Sequence, residues 1–204
     1  MSITVCIAPV KTLEYPEGGG HLWEYLNWAL GLLALGCKVI WLEGVAVSTP
    51  AGEIRSKVTA LKLRLERYGL GNCLALYPST DGSLPPDVTA LGCLDLDEAA
   101  GADFLLEFRY DTPFDVVKRF RRSALLDIDP GLSQTWISKG RKSLTPHDVY
   151  FTTGETVGQP GTRVPDVGLS WLYTRPCVAL DWWQPREATG KAPFTTVAHW
   201  YAGG

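Results

Sequence analysis

The chain has 204 residues, 46% of them apolar and 20% charged, and a formal net charge of −3. These are globular values for one domain, or for one domain and a fragment. The mild acidity excludes a general electrostatic pull toward nucleic acid or an anionic membrane surface.

Five cysteines, widely spaced and without a CxxC pair, read as buried thiols in a reducing compartment. With only three histidines present, no metal site is expected, and no cofactor is called for. The opening Met1-Ser2-Ile3-Thr4 lacks the basic and apolar regions of a secretory signal. The longest apolar stretch, Leu22 to Leu35, is interrupted by Glu24 and Asn27 and is too short to span a bilayer. The expectation is a cytoplasmic protein with no membrane span.

Ile3 to Ala8 is a short, nearly continuous apolar run, the pattern of a central parallel strand covered on both faces. A long loop follows, ending in Gly18-Gly19-Gly20-His21. A helix is predicted from about His21 to Leu35, with Leu22, Leu26, Leu30 and Leu33 packing and a stripe of Glu24, Asn27 and Gly31 facing water. Gly36 ends it, and Lys38 to Glu43 is the second strand of a βαβ unit. Ile54, Val58, Leu61, Leu65 and Tyr68 recur at helical spacing and predict a second helix over 51–68.

Beyond Gly71 the strand-like runs are Cys73 to Tyr77, Phe104 to Phe108, Ala124 to Ile128 and Val149 to Thr153, with a short helix over Phe114 to Arg122. The alternation predicts an α/β fold: a Rossmann-like, doubly wound parallel sheet in a single domain, residues 1–183. Residues 184–193, rich in Pro and Gly, read as a linker. Residues 194–204 read as the start of a second domain, with a strand over Phe194 to Trp200.

Ligands of open parallel sheets bind outside the carboxyl ends of the strands. Gly18, Gly19 and Gly20 therefore read as a bare loop against a helix N-terminus, suited to an anion or a substrate, with His21 as a candidate general base. Asp127 and Asp129 close a strand two residues apart, a spacing that puts both on one face. They would orient His21 or grip a sugar hydroxyl, or else Asp129-Pro130-Gly131 is turn chemistry alone. Glu155, after the Val149 strand, falls at the ligand-binding edge, whereas His147 falls at the opposite end and reads as structural. Glu43, 23 residues after Gly20, stands near the place of a ribose-binding acid; the glycines, however, are not in GxGxxG order. Eight tryptophans, with Trp171, Trp182, Trp183 and Trp200 late in the chain, suit either core packing or sugar stacking.

The run from the first strand through Gly18-Gly19-Gly20-His21, the apolar helix, and Gly36-Cys37-Lys38-Val39-Ile40-Trp41-Leu42-Glu43 resembles the N-terminal, acceptor domain of GT-B fold glycosyltransferases. With Asp127-Ile128-Asp129-Pro130-Gly131, Thr153-Gly154-Glu155 and the linker before Phe194, the resemblance extends over about residues 1 to 200. It implies a domain that binds the acceptor of a sugar transfer from a nucleotide-sugar donor, with His21 and Asp129 as catalytic candidates and Gly18, Gly19, Gly20, Asp127 and Glu155 binding substrate. It also implies a chain truncated at the start of its second domain, lacking most of the donor site and completed by a second domain or chain. The competing expectation is a non-catalytic ligand-binding or assembly module on the same fold. A nicotinamide-dependent oxidoreductase is a third, resting on Glu43 and the glycine loop.

Overall fold

The computed structural model describes residues 2–15, 17–185, 187, 190 and 193. They build one seven-stranded sheet in the order β3-β2-β1-β4-β5-β6-β7, every pair parallel. The strands are β1 (Thr4–Ala8), β2 (Lys38–Val45), β3 (Leu74–Pro78), β4 (Phe104–Glu107), β5 (Ser123–Asp127), β6 (Val149–Thr152) and β7 (Trp171–Tyr173). The helices are α1 (Gly19–Ala34), α2 (Ala51–Glu66), α3 (Pro86–Thr89), α4 (Leu96–Ala100), α5 (Phe114–Val117) and α6 (Leu132–Ser138). This is the Rossmann-like α/β fold expected, and no helix among the described residues is long and apolar enough to cross a membrane. The linker over 184–193 is described only in part, and the strand predicted over 194–200 lies outside the described residues.

Successive strand residues serve opposite layers because side chains alternate across a sheet. Val5, Ile7, Val39, Trp41, Leu74 and Leu76 share a core with Leu22, Leu26 and Leu30 of α1 and Ile54, Val58, Leu61 and Leu65 of α2. Cys6, Ala8, Leu42, Ala75 and Leu105 pack with Ala99 of α4, Val116 and Val117 of α5, and Phe120. Each fully buried leucine or isoleucine contributes about 1.5–3 kcal/mol of transfer free energy. The two interiors together make β1 the buried spine of the sheet.

Several expectations change. The helix begins at Gly19, two residues early, because Gly18 and Gly19 turn the chain through φ of +79° and +64°, which only glycine adopts readily. The helix over Phe114 to Arg122 is a single turn, α5. β7 was not expected: its three residues are too few to show a period.

The stripe of α1 meant for water is partly covered. Residues 177–183 run back across α1, where Asn27 accepts from Ala179 N at 3.0 Å and from Trp183 Nε1 at 3.3 Å, and Cys177 Sγ donates to Asn27 O at 3.2 Å. A Cβ on Gly31 would stand 2.8 Å from Cys177 Sγ, so this glycine admits the returning chain. Trp183 packs on Trp23, and Trp182 on Tyr68, with ring centroids 4.8 and 5.1 Å apart. Trp171 meets Tyr150 edge to face and donates to Asp166 O. These tryptophans hold structure together; Trp200 lies outside the described residues.

Candidate functional site

Strand order reverses direction at β1: the chain winds outward through β2 and β3 on one side and through β4 to β7 on the other. The loops leaving β1 and β4 diverge there, and the gap between them is where such sheets bind ligands. A cleft of about 460 Å³ occupies this place. Val10 follows β1, Phe108, Arg109 and Tyr110 follow β4, and Ile128 and Asp129 follow β5. Gly20, His21, Glu24 and Tyr25 come from α1, and Leu132, Ser133 and Trp136 from α6; Lys142 completes the lining.

His21 and Asp129 thus share one cleft. His21 Nε2 lies 2.6 Å from the carbonyl oxygen of Val10. A carbonyl only accepts, so Nε2 is the donor, which in the neutral tautomer leaves Nδ1 as the acceptor. Tyr15 and Tyr25 flank the ring at centroid distances of 4.5 and 5.4 Å. No carboxylate hydrogen-bonds the imidazole among the described residues; the loop backbone orients it instead.

Asp127 and Asp129 do not act together. β5 ends at Asp127, so the same-face rule stops applying and the two diverge. Asp127 is fully buried and receives four donors: Tyr110 Oη, Gln134 Nε2, Thr152 Oγ1 at 3.0 Å and Asp129 N at 3.1 Å. It has no capacity left for a substrate, which corrects its assignment as a binding residue. Asp129 is solvent-exposed at the cleft; partial burial, and then the Asp127 charge, push its carboxyl above the usual range.

Of the three glycines only Gly20 lines the cleft. Gly18 is wedged against Arg64 and Leu22, where a Cβ would clash, and Gly19 has open space around it without reaching the cleft. Glu155 is exposed and lies outside the cleft. Its neighbour Gly154 packs on Pro130, where a Cβ would come within 2.6 Å, so this segment props the turn after β5.

Glu43 is fully buried. One oxygen accepts from Thr12 N at 3.1 Å, from Thr12 Oγ1 and from Trp41 Nε1 at 3.3 Å, while Oε2 has no partner among the described residues. Burial pushes its carboxyl up to about 7, against the opposing pull of Thr12, Arg109 and Trp41. The His147 side chain is wholly buried with Nε2 2.7 Å from Glu107 Oε2, in contact but not aligned as a hydrogen bond, and lies outside the cleft.

Several cleft residues were not singled out in advance. Glu24 stands one helical turn beyond His21; burial raises its carboxyl, an effect the imidazole opposes. Lys142 Nζ sits 4.8 Å from the centre of the Tyr110 ring. Arg109 is only 8% exposed and, among the described residues, bonds through Nε alone, to Asp111 Oδ1 at 3.1 Å. Burial works against its charge, yet Tyr77, Asp111 and Glu43 outweigh it and keep the guanidinium above its usual value. The signal for Arg109 was available: an arginine one residue past the carboxyl end of an apolar strand.

Searches of family models, curated proteins and solved structures find no match for this chain. The Rossmann-like α/β fold and the composition of its switch-point cleft therefore carry the functional argument.

Proposed function

We propose that the domain binds the hydroxylated acceptor of a sugar transfer in the switch-point cleft, the donor being a nucleotide sugar. The observation that supports this most is the contact of His21 Nε2 with Val10 O: a neutral ring donating there turns an unprotonated Nδ1 to a substrate hydroxyl. In the reaction His21 Nδ1 takes the acceptor proton as the acceptor oxygen bonds to the anomeric carbon. The bond from that carbon to the nucleoside diphosphate breaks, and its electron pair leaves with the diphosphate. Asp129 stands at the same cleft to accept a hydrogen bond from a neighbouring hydroxyl, and Trp136, half-buried in the lining, offers an apolar face to the C–H side of a sugar ring. The nucleotide would be held largely by a second domain or chain. A cytoplasmic setting, where nucleotide sugars and reduced thiols coexist, fits the five free cysteines.

The test is a backbone-resolved NMR titration with D-glucose and N-acetyl-D-glucosamine as acceptor probes. Shifts concentrated at Gly20, His21, Asp129 and Trp136 are expected, and their loss in His21→Asn. Saturating sugar without shifts at these residues would refute the reading.

A second reading, a non-catalytic assembly module, draws on exposed apolar side chains of the returning segment: Leu180 at 74%, Val178 at 54% and Trp183 at 49% exposure. Sedimentation of the full chain separates the two, because a monomer at all concentrations removes self-assembly.

A further inference from the structure

The guanidinium of Arg109 has far more hydrogen-bonding capacity than its surroundings use. It offers five N–H donors, of which the structure employs one, from Nε to Asp111. Neither terminal nitrogen has a partner among the described residues, and Nη1 is completely enclosed. Glu43 and Tyr77 are near enough to act on its charge, yet neither forms an ion pair or hydrogen bond with it. Each keeps a buried oxygen of its own without a partner. Asp111, the one direct counter-charge, is half exposed and correspondingly weakened by solvent. A buried cation with unspent donors is costly unless an acceptor arrives.

The setting points to the kind of acceptor. Arg109 lines the cleft together with Lys142, which lies over the ring of the very next residue in the chain, Tyr110. The N-terminus of the 16-residue α1 opens into the same cleft at Gly20, with no side chain capping it and no atom within 4 Å of where a Cβ would stand. Helix N-termini favour negative charge. The backbone at Tyr110 has φ of +67°, rare for a tyrosine, and the bond from its hydroxyl to Asp127 secures that turn. Arg109 is therefore presented by a rigid, strained corner, as recognition of a fixed anion requires. The acidic groups of the cleft, Glu24 and Asp129, come from α1 and the end of β5; Lys142 and Arg109 come from other segments.

We propose that the ligand of this cleft carries an anionic group, phosphoryl or carboxylate, received by Arg109 with Lys142 in support, while its hydroxyls face His21 and Asp129. This rests on the acceptor reading above and narrows it to an acidic acceptor, such as a sugar phosphate or a sugar acid. Arginine suits the task because its charge is permanent and weakly hydrated, so it survives burial where a lysine ammonium would shed its proton.

The experiment measures dissociation constants by NMR titration of the full chain with D-glucose, D-glucose 6-phosphate, D-glucuronate and inorganic phosphate. A charge-assisted hydrogen bond predicts that at least one acidic sugar binds about 10- to 100-fold more tightly than glucose. Whichever of the two gains more identifies phosphoryl or carboxylate. Arg109→Gln should abolish the advantage and Arg109→Lys restore part of it, thermal melting serving to show that both variants fold. Equal binding of glucose and the acidic sugars at the cleft would overturn the anionic group and leave the acceptor reading standing. An advantage that survives Arg109→Gln would overturn the role of Arg109. Phosphate binding that ignores both substitutions would mark an adventitious ion only, and failure of every sugar to bind would remove both readings.

Discussion

Asp127 offers the sharpest test of how the end of β5 is built. Asp127→Ala removes the acceptor for Tyr110 Oη, Gln134 Nε2, Thr152 Oγ1 and Asp129 N at one stroke. Tyr110, Gln134 and Thr152 are all buried, so water cannot replace what is lost. Each orphaned buried donor costs about 1–3 kcal/mol. Hydroxyls can rotate toward new partners, and Thr152 keeps the bond it accepts from Gly154 N, so the sum falls near 3–5 kcal/mol. Against a total stability of roughly 5–15 kcal/mol this is severe. Asp127→Asn is the milder companion: its carbonyl still serves Tyr110 and Asp129 N, but its NH₂ meets the NH₂ of Gln134, for about 2 kcal/mol. Gln134 cannot flip freely to relieve this, since its Oε1 accepts from Gly131 N at 2.7 Å. Urea unfolding, compared at constant m-value, measures both variants. An alanine variant within about 1 kcal/mol of the parent would refute the hub.

Three more outcomes are expected. Gly31→Val should push Cys177 away from α1, lowering stability by about 1–3 kcal/mol and changing Trp183 fluorescence; an unchanged spectrum and melting curve would contradict the packing. Glu43 is protonated more readily in the fold than in the unfolded chain, so its share of stability is full below about pH 4.5 and falls as pH rises toward 7. At about 1.4 kcal/mol per unit the loss is on the order of a few kcal/mol, and the difference in unfolding free energy between parent and Glu43→Gln should widen over that range in favour of glutamine. A flat difference between pH 5 and 8 would exclude it. His21→Ala should leave thermal stability within about 1 kcal/mol, because the ring is only half-buried, while abolishing any acceptor-dependent transfer; retained transfer would dismiss the base.

The parallel strands were legible because buried strands write themselves as apolar runs, and α1 and α2 because each holds a helical period over four turns. The short elements were not. β7 has three residues and α6 seven, too few for a period, although Asp95 and Glu98 of the α4 capping box stood in plain view. The cleft was half legible. Gly20 and His21 were read from the glycine loop before the first helix and Asp129 from its strand-end position, whereas Asp127, which shared that position, serves the scaffold, and Glu155 lies outside the cleft. Position along the chain says which end of the sheet a residue occupies; whether its carboxyl is already saturated depends on Tyr110, Gln134 and Thr152, which arrive from three other segments. Arg109 had the same strand-end signal, but its unspent donors show only in the fold.

The seam between residues 177–183 and α1 makes the first long helix a common girder. Its leading turn presents the imidazole, and Asn27, six residues on and so roughly 9 Å along the axis, bears the returning backbone. A load applied to that closing stretch is delivered to the same rod that holds His21, and travels there without passing through the sheet.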